Sequence, residues 1–398
     1  MAKGKMQAVR MYAEWAPRPG FKLGPKDIEG KQTYLSSRVW KNPKVKLEEV
    51  DIPKPKGNEV LLEVKACGIC GSDVHIAQTD EEGYMLYPGL TGFPVTIGHE
   101  ISGIVAEAGP DAKDKRTNKP FKGGEYVCTE EMIWCGCCKP CAEGFPNHCE
   151  RLNEIGINVD GGFAKYVLVL DKSLWSLDPL KSRYQEKDIF KLGALVEPTA
   201  VAYHAVITRG GGVKPGDNVV ILGGGPIGLA ACAILKRQGA RCVLLSEPEK
   251  SRAEMAMKLG ADVVIDPLKE SLAEMVLKHT SGMGAKLYLE ATGLPTVVYP
   301  EIERAIWEGR TLDSTVVVVA RADAKIPVTG EVLQVRWANI VGSYGHAGHG
   351  NFPRVIEAMA SGMNMLPLVT REVSLAEVPK YIIKLQSDKV DCKIQYVS

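Results

Sequence analysis

Five cysteines stand in the fifteen residues CGCCKPCAEGFPNHC, from Cys135 to Cys149, in a chain of 398 residues that holds eleven in all. Cys135, Cys138, Cys141 and Cys149 follow the spacing C-x2-C-x2-C-x7-C, and gaps of two residues let successive thiolates converge on one ion at a Zn–S distance of ~2.3 Å. Four thiolates complete a tetrahedron and leave no open position, so the spacing predicts a structural zinc that orders a lobe at about 128–152. Cys137 neighbours a ligand whose side chain points elsewhere, and it is left out of the set. Zinc bound by short peptides contributes ~10–16 kcal/mol, enough to order a segment with almost no core of its own. The start, MAKGKMQAVRMYAEW, lacks the apolar run and small-residue cleavage site of a secretory signal. A cytoplasmic protein is expected, and in that reducing compartment clustered thiols serve metal or catalysis rather than disulfides.

The length predicts two domains. Lys plus Arg number 49 against 48 Asp plus Glu, a net charge of +1 that gives no field to steer the chain toward nucleic acid or an acidic membrane. The basic stretch Lys113, Lys115, Arg116, Lys119 and Lys122 reads as a solvated loop. From Met6 to about Val169, short alternating strands such as EVLLEVKA, ISGIVAEAG and FAKYVLVL lie between Gly and Pro turns, which predicts a β-rich, barrel-like half. From about Lys214 the apolar runs NVVIL, RCVLLSE, DVVID, KLYLEA, STVVVVA and ANIVGS alternate with helical periods. Such runs suit the strands of a doubly wound parallel sheet. The domains are expected to be 1–197, completed by 344–398, and 198–343. Tyr12–Lys44, with little periodicity, reads as an inserted surface segment.

Within NVVILGGGPIGLAACAIL, Gly223, Gly225 and Gly228 follow a predicted strand and open a predicted helix, with Pro226 and Ile227 between the last two. In that context the glycines let the backbone approach a pyrophosphate at a helix N-terminus. Glu247, nineteen residues past Gly228, can accept hydrogen bonds from ribose hydroxyls and would repel a 2′-phosphate, which favours NAD over NADP. Arg252 can meet the ribose side or simply face solvent.

Catalytic zinc needs three protein ligands and a vacancy, and these can come from distant segments. Candidates are Cys70 in CGICGSDVH, His99 and Glu100 in GHE, and Glu197 in LVEPTAVAYHA. Together with the cysteine lobe and the glycine turn, in this order, the motifs resemble the zinc-dependent medium-chain alcohol and polyol dehydrogenases over nearly the whole chain. The resemblance implies a GroES-like catalytic domain, a Rossmann domain and an active site between them. It makes Cys70 and His99 zinc ligands and puts Glu197 where other members have a cysteine, a mark of the sorbitol-dehydrogenase-like branch. Glu100 either binds the zinc or holds its water, Asp73 orients a ligand histidine, and Ser72 then His75 carry the hydroxyl proton outward. Zinc lowers the pKa of a bound oxygen from ~15.7 for water to as low as ~7, which makes a hydroxyl acidic enough to lose its proton near neutrality.

The resemblance further implies two zinc ions and one NAD per chain, a polyhydroxylated substrate, and a dimer or tetramer. The pattern is most similar to enzymes oxidising a ring hydroxyl of a cyclitol. Ser343, Tyr344 and His346, after the sixth strand, are candidates to line the pocket. The extra segment at 12–44 and a longer loop at 111–121 depart from the branch and loosen any transfer of substrate. Threonine and simple-alcohol dehydrogenases share most of these motifs, and a non-catalytic NAD-binding redox or metal sensor is the alternative outside the family's chemistry.

Overall fold

The computed structural model describes residues 4–24, 35–322 and 324–398. Residues 25–34 of the segment read as an insertion lie outside the described residues. The chain divides into two compact units. The first holds the residues up to Glu197 with Phe352–Ser361 and Val369–Ser398, and the second holds Pro198–Asn351 and Gly362–Leu368. This differs from the expected division, since residues 344–351 and 362–368 group with the second unit.

In the first unit, strands β1 (Lys5–Trp15) and β2 (Trp40–Asp51) form a long antiparallel hairpin, paired residue for residue from Lys5↔Asp51 to Trp15↔Trp40 with one irregularity at Tyr12/Glu14. The expected surface segment is therefore strand at both ends. Its aromatic residues explain why: Trp40 is buried and meets Trp15 and Phe93 edge-on, each at 5.0 Å between ring centres. A larger sheet is built around β3 (Glu59–Gly68), which pairs with Tyr166–Leu170, with the C-terminal strand Lys393–Val397, and with the strand Glu100–Ala108. Alternate side chains of β3 and its neighbours (Val60, Leu62, Val64, Ile101, Val105, Val167 and Val169) meet in one core, as the period of two requires. The helix α1 (Gly71–Ala77) follows β3 after two residues, and the short strand Val95–Thr96 pairs with β1.

The second unit is a six-stranded parallel sheet in the order Val263–Ile265, Cys242–Ser246, Asn218–Leu222, Leu287–Glu290, Thr315–Val318, Asn339–Gly342. All five residues of the central strand NVVIL are buried, as a strand covered on both faces demands. The order reverses between Asn218–Leu222 and Leu287–Glu290, the doubly wound switch that sequence reading expected. Among the described residues no helix is long and apolar enough to cross a membrane.

Candidate active site

The ladder between β3 and Glu100–Ala108 pairs Gly68 with Glu100 and Cys67 with Ile101. Cys70 lies two residues past the end of one strand and His99 one residue before the other, so the same end of one ladder presents both. Gly98 makes the turn into His99 with φ +94°, and a Cβ there would stand 2.6 Å from the Phe163 ring and 2.9 Å from Cys67 Sγ. Only glycine meets both demands. Cys70 caps α1, its N–H donating to Asp73 Oδ2 at 2.9 Å.

The donor atoms of Cys70, His99 and Glu100 all lie within 4.8 Å of one another. Thiol, imidazole and carboxylate are zinc's ordinary ligands. Glu100 Oε2 is buried without a hydrogen-bond partner among the described residues, which leaves a polar atom for an ion or its shell to satisfy, while His99 Nδ1 faces Asp73. The residues present therefore fit a zinc ion. Three of the four expected ligands form this tight set, and the fourth lies outside it. Glu100 is inside it, while Glu197, from the helix Glu186–Tyr203, borders it and has a carboxylate oxygen within 4.8 Å of one from Glu131. Burial pushes the Glu197 carboxyl up to about 8, opposed by His99 and Lys393 and reinforced by Glu100 and Cys70. Burial resists charge on His99, but Asp73, Cys70 and Glu197 outweigh it and raise the imidazole well above its ordinary value. The Asp73 Oδ1 to His99 Nδ1 separation is 3.8 Å, an electrostatic contact rather than the expected orienting hydrogen bond. Ser72 Oγ lies 3.4 Å from His99 Nε2, and His75 is exposed one turn further along α1.

Two residues here escaped sequence reading. Lys393 is 2 % exposed, and its Nζ donates to Glu100 Oε1 at 2.5 Å and to the Ile69 carbonyl at 3.0 Å. Nothing local in the sequence signals it, because the pairing of the C-terminal strand with β3 brings it across nearly the whole chain. Glu131 carries a faint signal, the pair Glu130–Glu131 inside an otherwise apolar stretch.

The four thiols of Cys135, Cys138, Cys141 and Cys149 lie within 4.8 Å of one another. Backbone N–H groups of Cys137 and Cys138 point at Cys135 Sγ at 3.5 and 3.4 Å, and those of Cys135 and Arg151 at Cys149 Sγ at 3.3 Å. The first pair, Cys137 leading, lowers the Cys135 thiol to about 5, so the loop favours the thiolate that a metal requires. Cys137 is exposed and accepts from Arg151 Nη2 at 3.0 Å, outside the set of four.

In the second unit Gly223, with φ +101°, turns the chain out of its strand, and Gly225 caps the helix Pro226–Gln238. A Cβ on Gly228 would lie 1.9 Å from the Gly223 carbonyl oxygen, so helix and strand can pack only with glycine there. A Cβ on Gly225 would meet nothing within 4 Å, which leaves open room at the helix N-terminus where Pro226 and Ile227 begin. Glu247 ties this turn to the second strand: its Oε2 accepts from Gly224 N at 2.7 Å and its Oε1 from Glu249 N at 2.8 Å. Arg252 is half-buried on the following helix. The open glycine turn with a carboxylate beside it fits a dinucleotide.

Comparison with known proteins agrees with this geometry. Residues 56–179 match the alcohol dehydrogenase GroES-like domain and residues 226–361 the zinc-binding dehydrogenase domain. The chain therefore belongs to the zinc-binding alcohol dehydrogenase family, and is an oxidoreductase acting on CH–OH donors. It is 64% identical, over 98% of its length and 99% of the relative's, to scyllo-inosose 3-dehydrogenase of Thermotoga maritima. It is 32% identical to an L-threonine 3-dehydrogenase of Caldanaerobacter subterraneus over 85% of this chain and 92% of that one. A solved Thermotoga maritima structure assigned to the alcohol dehydrogenases superposes with a TM-score of 0.96 at 63% identity, covering 99% of this chain and all of that one.

Proposed function

We propose that the protein oxidises a secondary ring hydroxyl of a keto-inositol, scyllo-inosose or a close cyclitol, to a ketone with NAD. The observation that carries this reading is the convergence of Cys70, His99 and Glu100, with Glu197 at the border, in a chain so similar to a scyllo-inosose 3-dehydrogenase. Cys70, His99 and Glu197 would hold the catalytic zinc, with Glu100 an alternating ligand, and the four lobe cysteines a second zinc. Gly223, Gly225, Pro226, Ile227 and Gly228 would face the pyrophosphate, and Glu247 and Arg252 the ribose. When bound, zinc supplies Lewis acidity to the substrate hydroxyl and NAD⁺ accepts the hydride.

The chain's own residues do the rest. Ser72 Oγ, at the donor set, takes the hydroxyl proton, and His75, three residues on and so on the same face of α1, passes it to water. The balance is alcohol plus NAD⁺ giving ketone, NADH and one proton. Lys393 holds Glu100 Oε1, so this carboxylate reaches a metal only in competition with the ammonium.

NADH formation measured across inososes, inositols, sorbitol, threonine and simple alcohols tests the substrate. A keto-inositol should give the highest kcat/KM, and preference for threonine would overturn the reading. The 32% relative makes threonine the second candidate. Cytoplasmic residence is part of the same proposal, supported by the use of NAD and by clustered thiols that suit a reducing compartment. A second copy of the chain would dock on the edge strand Asn339–Gly342, which pairs on one side only among the described residues. Beside it Trp337 is 70% and Val335 52% exposed. Trp337→Asp should shift light scattering toward the monomer, whereas an unchanged mass would exclude this face.

A further inference from the structure

Cys70 and Ser72 precede, and His99 follows, a connector of residues 78–97 whose only regular structure is the two-residue strand Val95–Thr96 and isolated bridges. The ladder of β3 with Glu100–Ala108 sets the register of the two strand ends. An irregular connector of this length leaves α1 and the turn into His99 free to fluctuate beyond them unless something outside it fixes its path. The extended hairpin does so. Met85 N donates to the Trp40 carbonyl at 3.1 Å, Asn42 N to the Gly83 carbonyl at 2.9 Å, and Ile97 N to the Val9 carbonyl at 3.1 Å. Ser36 Oγ contacts the Gly89 carbonyl and, at 2.6 Å, Thr91 Oγ1.

Arg18 closes the arrangement. Its Nη1 meets Glu82, its Nη2 meets Asp80, its Nε donates to the Ser37 carbonyl at 3.1 Å, and its guanidinium lies 3.9 Å over the Tyr84 ring. Asp80 in turn shapes the loop, since its Oδ1 accepts from Glu82 N at 3.0 Å and Tyr84 N at 2.9 Å. One planar cation thus ties the hairpin's backbone to the turn at 80–84.

We infer that the hairpin extension braces the open zinc site, and that Arg18 is a positioning residue that damps the motion of the connector between the Cys70 helix and His99, whose spacing the β3 ladder sets. This rests on the reading of Cys70 and His99 as zinc ligands. The guanidinium fork makes three directed bonds at once, a geometry that an ammonium cannot copy. Arg18→Lys should therefore behave like Arg18→Gln.

The test is zinc release from the full-length, zinc-loaded protein into a chromogenic chelator. Wild type should give two phases, of which Cys70→Ser lacks the open-site phase. Arg18→Gln and Arg18→Lys should accelerate the open-site phase about tenfold, as the loss of a charge-assisted network implies, and leave the lobe phase unchanged. Asp80→Asn should do the same and add little in combination with Arg18→Gln, because the two act through one contact. Arg304→Gln, which breaks a comparable ion-pair cluster in the second unit, should leave both phases alone. The brace is overturned if Arg18→Gln changes neither phase or speeds both equally, or if Arg304→Gln matches it. A wild-type protein that shows the lobe phase alone would overturn the reading of the site itself, and the brace with it.

Discussion

Lys393 and Glu100 form a buried ion pair, with the carboxylate fully enclosed and Lys393 nearly so. Removing one partner leaves an uncompensated charge in the interior, whereas removing both does not. Lys393→Met should therefore cost about 3–5 kcal/mol of stability, and Lys393→Met with Glu100→Gln should recover most of it. Thermal unfolding of the single and double variants checks this, and equal melting temperatures would contradict it. Glu130 offers a pH test. Burial raises its carboxyl above the ordinary 4.5, against the opposing hydrogen bond from Trp175 Nε1 at 2.6 Å and the charges of Lys115 and Lys172. A raised folded pKa means that the folded state holds the proton longer, so this group's contribution to stability falls as pH rises from 4.5 through the folded value. Glu130→Gln keeps the acceptor for Trp175 without the charge, and its melting temperature relative to wild type should rise between pH 5 and 8. A constant difference would rule this out. At this scale Cys70 and His99 were legible because each sits in a motif beside a strand end. Lys393 was not, because its meaning comes from a ladder closed across the chain.

Among the elements, the cysteine lobe and the helix carrying Glu197 should fail differently. Cys149→Ser removes one of four ligands from a closed site, so it should lower the melting temperature markedly and leave the open site loaded. Glu197→Ala should abolish turnover in a protein that still folds and binds NAD. Calorimetry, NADH fluorescence and activity separate the two, and equal loss of melting temperature would count against the assignment. The six parallel strands were legible because strands buried on both faces are continuous apolar runs. The hairpin extension was not, because Pro17, Pro19 and Gly20 interrupt its periodicity and its order comes from Trp15, Trp40 and Phe93 packing edge to edge.

For the whole molecule, sequence motifs announced both units and the chemistry of each, since zinc and dinucleotide sites demand fixed residue types at fixed spacing. Where the tail divides between units, and that Glu197 stands outside the tight set of Cys70, His99 and Glu100, were decided by pairing and packing that no local pattern carries. The proposed oxidation depends on an open zinc site at Cys70 and His99 that the lobe zinc does not supply. Elemental analysis of wild type and Cys70→Ser, with NADH formation from a keto-inositol followed on the same samples, tests it most directly. Two zinc ions per chain in the active wild type, and one in a folded, inactive Cys70→Ser, are expected. A single zinc in both would contradict it.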